Sequence, residues 1–270
     1  MPTYTESILK ERSERDKRLT ADPLNWLALC GRFFLEEGDN SIGCAESDKI
    51  VLPMLTAPRA VVLTIKNGKA VISEHMDGVT VDGSAPEARP LRADVDGDQD
   101  TIACGRVSMQ LITRGGNLIL RAWDLESEAV KEFKGLHYYP VKPEYRIQAK
   151  YTPYDPPLAR KTYNAIGNEL DSTFAGWVEF SVDSIECRLD AEDGGDELLL
   201  NFTDATKQDT TYPGGRYITL PKPVTSEVVL DFNTAVNWPC AYTNFATCPL
   251  PPFENRLQAR IEAGELRYHD

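Results

Sequence analysis

VVLTIKNGKAVI, residues 61–72, decides the fold class. Two runs of β-branched and apolar residues flank Asn67-Gly68, the dipeptide best able to place both centres of a two-residue turn at positive φ. The stretch reads as a β-hairpin, and outward from it the period of two persists. TIACGRVSMQLITRGGNLILRAW (101–123) repeats the pattern around Gly115-Gly116, and VTVDG (79–83) adds a further strand. Upstream, Trp26, Leu27, Leu29, Phe33, Phe34 and Leu35 form an apolar entry into the same sheet. A β-sandwich is expected over residues 25–125.

The second half is β-patterned as well. GWVEFSVDSIECRLDAE (176–192) and LLLNFTDAT (198–206) flank the turn Asp193-Gly194-Gly195-Asp196, YITLPKPVTSEVVLDFN (217–233) holds two strands, and RLQARIEAGELRY (256–268) alternates at Leu257, Ala259 and Ile261. Residues 126–160, with one short helical turn near 126–133 and the prolines of YTPYDPP (151–157), read as an extended connector. ESILKERSERDKRL, at the start, is a proline-free run of good helix formers and is expected to dock loosely as a mostly solvated helix. The expected architecture is all-β: an N-terminal helix (1–24), then two packed β-sandwich or barrel-like lobes, 25–125 and 161–270, with 126–160 between them.

Twenty-nine Lys and Arg against 42 Asp and Glu leave a net charge of −13, which repels nucleic acid and anionic membranes. No apolar run is long enough for a signal or a membrane span, so a cytoplasmic location is expected, with a small molecule as partner. The acidic run Asp94 to Asp100 lacks the Gly and Glu positions of a calcium loop and reads as solvated. Three scattered histidines offer no zinc spacing, and no metal or cofactor is expected.

Chemistry is densest in NWPCAYTNFATCPLPP (237–252), an uncharged, proline-stiffened loop that follows a strand ending at Asp231. Cys240 and Cys248 are too far apart in sequence for one zinc knuckle. They read as a disulfide in an oxidising compartment, or as two semi-buried thiols, one of which a nearby cation could activate. Upstream, PGGRY (213–217) presents Arg216 after a Gly-Gly turn between Tyr212 and Tyr217, as a clamp for a carboxylate or phosphate or as a surface arginine stacked on tyrosine. His137, beside Tyr138 and Tyr139, suits a binding wall or a structural hydrogen bond.

LLLNFTDAT, TYPGGRY, DFNTAVNWPCAY, CPLPPFENR and IEAGE, together with WLALCGRFFLEEGDNSIG (26–43), resemble domain of unknown function family 1684. In this chain Trp238 stands between Asn237 and Pro239. The resemblance implies Asp204, Tyr212, Arg216, Asp231, Asn233, Asn237, Cys240, Tyr242, Cys248, Glu254 and Asn255 as motif positions, and it implies no reaction. SIGCAESDKIVL, a strand pair, VTVDG and IACG, within residues 31–113, more weakly resemble a forkhead-associated sandwich; Cys44 follows Ile42-Gly43 where that family has an Arg, and the next loop reads Thr56-Ala57-Pro58-Arg59, so the phosphothreonine-reading residues are absent unless Arg59 substitutes.

The expected function is binding of a small polar or anionic metabolite in the C-terminal lobe, through Tyr212, Arg216, Asp231, Asn233, Asn237, Tyr242, Asn255 and His137. One alternative is a hydrolase- or transferase-type enzyme using Cys240 or Cys248 as nucleophile, or Asp231 with Glu254 as acid and base. Another is a protein-interaction module on the first sandwich, involving Arg32 and Arg59.

Overall fold

Thr3 and Glu6 open the first helix. The Glu6 N–H donates to Thr3 Oγ1 at 3.3 Å while the Thr3 N–H donates to the Glu6 carboxylate at 2.7 Å, a reciprocal capping box that opens helix α1 (Tyr4–Ala21). The structure, a computed structural model, describes residues 2–269. It divides into two compact units, one of Leu19–Phe133 and one of Met1–Arg18 with Lys134–Asp270. No helix among the described residues is long and apolar enough to cross a membrane.

In the Leu19–Phe133 unit the strands are β1 (Leu29–Phe34), β2 (Gly38–Gly43), β3 (Ile50–Val51), β4 (Val61–Lys66), β5 (Lys69–His75), β6 (Thr80–Val81), β7 (Thr101–Cys104), β8 (Val107–Arg114) and β9 (Asn117–Asp124). They form a sheet ordered β1-β9-β8-β7-β6 and a second ordered β3-β2-β4-β5. Ile42, Leu63, Met109 and Leu120, from both sheets, share one buried cluster. The β4–β5 turn has the expected chemistry, with φ of 52° at Asn67 and 70° at Gly68. The acidic run departs from expectation. Asp100 is buried and held by Arg89 at 2.6 Å and Arg92 at 2.7 Å, and Asp94 pairs with Arg114. Asp94 and Asp100 fasten the two ends of the loop, as buried charge requires a partner, while Asp96 and Asp98 between them stay exposed as expected.

After a single helical turn α2 (Glu128–Lys131) the chain enters the other unit. Its strands are β10 (Arg146–Tyr163), β11 (Glu169–Val182), β12 (Ile185–Asp193), β13 (Glu197–Phe202), β14 (Arg216–Pro221), β15 (Glu227–Asp231) and β16 (Val236–Asn237). One antiparallel sheet takes them in the order β15-β10-β11-β12-β13-β14-β16, with two free edges and no closed barrel. The later part of the expected connector, residues 146–160, lies in β10. Its prolines fit a long strand because Pro153, Pro156 and Pro157 coincide with a register break between Pro153 and Leu158, where the ladder needs no N–H. Val178, Leu200, Phe202, Leu230 and Phe232 form the core, with Phe232 packed 5.3 Å from Phe180 and 5.5 Å from Phe202.

Leu257, Ala259, Ile261 and Ala263 of the tail are buried at alternate positions, as the sequence pattern requires, yet the segment joins no ladder. Isolated backbone bridges, Arg256 with Thr203 and Glu265 with Tyr138, tie it down together with buried side chains. Arg216 donates to the carbonyls of Ile261 at 3.0 Å, of Ala263, and of Glu265 at 3.3 Å, and the Ile261 N–H donates to Asp204 at 2.8 Å.

Helix α1 also differs from expectation. Residues three and four apart share a helix face, and here Tyr4, Ile8, Arg12, Arg15 and Asp16 all meet the second unit. Ile8 is the buried apolar contact. The Tyr4 hydroxyl donates to Asp231 at 2.9 Å, Arg12 to the Tyr139 carbonyl at 2.8 Å, and Asp16 accepts the Leu136 N–H at 3.2 Å. The helix is fastened by polar pins that no hydrophobic periodicity reveals.

Candidate functional site

Three arginines of α1, at positions 12, 15 and 18, fall on one stripe and line a cavity of about 240 Å³. At ~30 Å³ per water it has room for roughly eight water molecules. Facing the helix are Tyr217 and Thr219 of β14, Asn233 and Thr234 of the turn after β15, and Val236 of β16; Tyr138 closes one side. Trp238 stacks on Tyr217 with ring centroids 4.2 Å apart, which steadies that wall.

Arg12 lies over the Tyr138 ring at 4.5 Å and donates to the carbonyls of Tyr139 at 2.8 Å and Asn233 at 3.2 Å. Arg15 donates to the Asn237 carbonyl at 3.2 Å and the Tyr242 hydroxyl at 3.0 Å. Among the described residues, the buried Nε atoms of Arg12 and Arg15 and the buried Tyr138 hydroxyl have no hydrogen-bond partner. Burial, and then the Glu265 carboxylate, push the Tyr138 phenol above its usual range, so it stays a donor. Arg18 is exposed at the rim.

Behind this wall Glu265 is wholly buried and collects donors. It accepts from the Asn237 N–H and the Asn237 side-chain amide, both at 3.0 Å, from the Tyr242 hydroxyl, and from Arg15 at 3.3 Å. Burial raises its pKa above the ordinary 4.5, with Arg15 and the hydrogen bonds opposing. A carboxyl with a higher pKa folded than unfolded holds more protons when folded, so its contribution to stability is full below 4.5 and falls as pH rises through the raised value. Glu265→Gln is expected to remove that fall: urea midpoints measured upward from about pH 4 decline in the native chain relative to the variant, then run parallel.

Of the motif residues, Asn233 lines the cavity. Its amide bonds the Tyr4 hydroxyl at 2.9 Å and the Lys142 backbone at 2.8 and 2.9 Å, so it joins helix and sheet. Asp231 caps the turn by accepting the Asn233 N–H at 3.0 Å; burial and then Asp231 push the Tyr4 phenol up to about 12. Asn237 and Tyr242 support Glu265 one layer back.

Arg216 is a correction. It is 1% exposed, paired with buried Asp204 at 3.0 Å and engaged by three tail carbonyls, so its guanidinium is closed to any ligand. It follows a Gly-Gly turn not for presentation but because Gly215, at φ 100°, passes within 2.5 Å of Pro251 measured from where a Cβ would sit.

Tyr212 lies against Gly214 and close to Cys240 and Cys248; burial and these thiols push its phenol up to about 12. The Cys240 N–H donates to Cys248 Sγ at 3.2 Å, and none of the six cysteines is in a disulfide. His137 is exposed and contributes only its carbonyl, to Leu266 at 2.8 Å. Asn255 is buried between Asp190 and Asn201, away from the cavity lining.

Asp231 and Glu254 are not brought together. Asp231 pairs with Arg146 at the start of the 18-residue β10, whereas Glu254 binds Arg160 near its end at 2.9 Å, and ~3.3 Å per residue separates them far beyond proton-transfer reach. In the first unit Arg59 is spent on Glu74 at 3.0 Å.

Sequence reasoning named Tyr138 only as a neighbour of His137 suiting a binding wall, and missed Arg12, Arg15, Arg18 and Glu265. The i, i+3, i+6 spacing of arginines was the available signal, obscured by the mixed charges around it.

The family model for proteins of unknown function DUF1684 matches residues 131–266, half of the chain. This chain belongs to the DUF1684 family. An uncharacterised protein of Haloarcula marismortui, solved in solution by NMR, is 30% identical over 52% of this chain and 80% of that one, with a TM-score of 0.44. No curated protein matches. The DUF1684 segment carries the sheet, the tail and Tyr138, while the arginine stripe of α1 lies outside it.

Proposed function

We propose that this DUF1684 protein binds a small anionic metabolite in the arginine-lined cavity. One observation carries the reading: three residues that line the cavity, Arg12, Arg15 and Tyr138, each keep a buried donor, Arg12 Nε, Arg15 Nε and the Tyr138 hydroxyl, with no acceptor among the described residues. An unmet buried donor costs about 1–3 kcal/mol, and a bound acceptor recovers that energy. Three guanidiniums on one stripe of a chain with net charge −13 also mark a local field that attracts anions against the repulsion of the whole.

Apart from Ile8 and Val236, the lining among the described residues is guanidinium, hydroxyl and amide groups, with Glu11 as its one carboxylate and no cysteine or histidine. That is a recognition set and supports binding over turnover. Six cysteines outside disulfides are consistent with residence in a reducing cytoplasm.

Thermal unfolding of the full chain with a panel of small mono- and dianions tests the reading. A bound anion at 100 times its Kd raises stability by about 2.7 kcal/mol, and Arg12→Gln abolishes the shift. If no anion at millimolar concentration moves the midpoint, the cavity is not an anion site.

A further inference from the structure

Donors reach the cavity from three walls. Arg12, Arg15 and Arg18 line it from the helix, Tyr138 from the segment before β10, and Tyr217 and Thr219 from β14; the Thr234 hydroxyl is already given to the Asp231 carbonyl at 2.7 Å. A carboxylate is planar and presents two oxygens, so donors that serve it gather near one plane. A phosphoryl group presents three diverging terminal oxygens, and each takes donors from its own direction. Guanidinium forks suit either anion, but donors spread over three walls suit the tetrahedral one.

Resting on the anion-binding reading, we infer that the ligand is a small phosphate monoester whose dianionic phosphoryl group sits among Arg12, Arg15, Arg18 and Tyr138. Size agrees. The five heavy atoms of a phosphoryl group with its ester oxygen, at no more than ~30 Å³ each, fit within the 240 Å³, and a short ester reaches the open mouth. The apolar part of the lining, Ile8 and Val236, is where a short carbon chain would lie.

Charge around the site is mixed and is part of the inference. Glu11 on the helix faces the cavity, Glu265 holds Arg15 from behind at 3.3 Å, and Asp231 lies at the helix start with Arg146 at 3.9 Å. Arg18 has no ion-pair partner among the described residues and carries the charge that the ligand's second negative charge meets. A guanidinium is not deprotonated in proteins, whereas a phosphate monoester loses its second charge as pH falls through about 6.

Isothermal titration of the full chain with inorganic phosphate, glycerol phosphate, sulfate and succinate is the test. Glycerol phosphate is expected to bind at least about tenfold tighter than succinate, and inorganic phosphate between them. Lowering the pH from about 7.5 to about 5.5 weakens glycerol phosphate roughly fourfold, as its dianion is depleted, and leaves sulfate unchanged. Arg18→Gln, which breaks no ion pair among the described residues, and Tyr138→Phe, which keeps the ring under Arg12, each weaken the monoester severalfold or more while thermal midpoints without ligand stay put.

Succinate binding as tightly as glycerol phosphate, or monoester binding insensitive to that pH change, overturns the phosphoryl inference and leaves the anion-binding reading standing. Absence of binding by all four overturns both.

Discussion

Arg216→Met is expected to destabilise the second unit by about 3–5 kcal/mol, the cost of leaving a buried charge without its partner. Asp204, 2% exposed, would keep its bonds from the Thr206 backbone and hydroxyl at 3.2 and 2.7 Å and from Ile261 at 2.8 Å, but would lose the cation that neutralises it. The carbonyls of Ile261, Ala263 and Glu265 would lose their donor together, leaving the tail only its isolated backbone bonds, such as the Ala205 N–H to the Ala259 carbonyl and the Glu265 N–H to the Ala235 carbonyl. For a unit of this size, thermal midpoints should drop by roughly 10 °C.

Two controls separate this account from the role of surface clamp. Asp204→Asn combined with Arg216→Met removes both charges and should recover part of the loss, giving a coupling energy in a double-mutant cycle. Any loss of anion affinity should match the fraction unfolded. A clamp would give the reverse pattern, with intact stability and lost binding.

Asn255→Ala is expected to cost about 3 kcal/mol or more. β12 and β13 pair at only two positions, Glu192 with Leu199 and Asp193 with Leu198. At Asp190 and Asn201, one hydrogen-bonded repeat further along the same register, the strands have separated and the Asn255 side chain takes the place of the ladder. It accepts the Asp190 N–H at 2.7 Å and donates to the carbonyls of Asp190 at 2.8 Å and Asn201 at 2.9 Å, while its own carbonyl takes the Thr203 N–H at 3.0 Å.

Alanine leaves three buried backbone groups unmet at about 1–3 kcal/mol each, partly relieved by water. Asn255→Asp keeps the acceptor, loses both donations and sets a second carboxylate beside buried Asp190, so it should be at least as damaging. Urea midpoints report the loss, and amide exchange at Asp190 and Thr203 reports where it occurs. Unchanged midpoints in Asn255→Ala would show that the strands re-pair without the amide.

Both predictions concern residues named from the sequence for a different reason. Arg216 and Asn255 read as ligand-facing because polar groups on loops usually are. Their side-chain chemistry was legible; the direction it faces was not. A guanidinium beside two glycines looks the same in sequence whether it meets a metabolite or three carbonyls of its own chain. The arginine stripe of α1 posed the opposite problem, since alternating charges on a short helix ordinarily mark a solvated face.

What the sequence determined by itself is the β character of both halves, the turns at Asn67-Gly68 and Asp193-Gly194-Gly195-Asp196, and membership of DUF1684. Each rests on a rule that acts over a few residues: side chains alternate every second position, positive φ selects Asn and Gly, and the family motifs are contiguous strings. Tertiary structure alone decided that Arg216 closes on the tail, that β10 absorbs the proline-rich connector at a register break, and that the cavity takes one wall from the first helix. Those outcomes depend on pairs such as Tyr4 with Asp231, 227 residues apart, and Arg12 with the Asn233 carbonyl, 221 apart. Hydrogen bonds of that span leave no periodicity in the chain, because whether a polar group is buried depends on what folds over it and not on its neighbours in sequence.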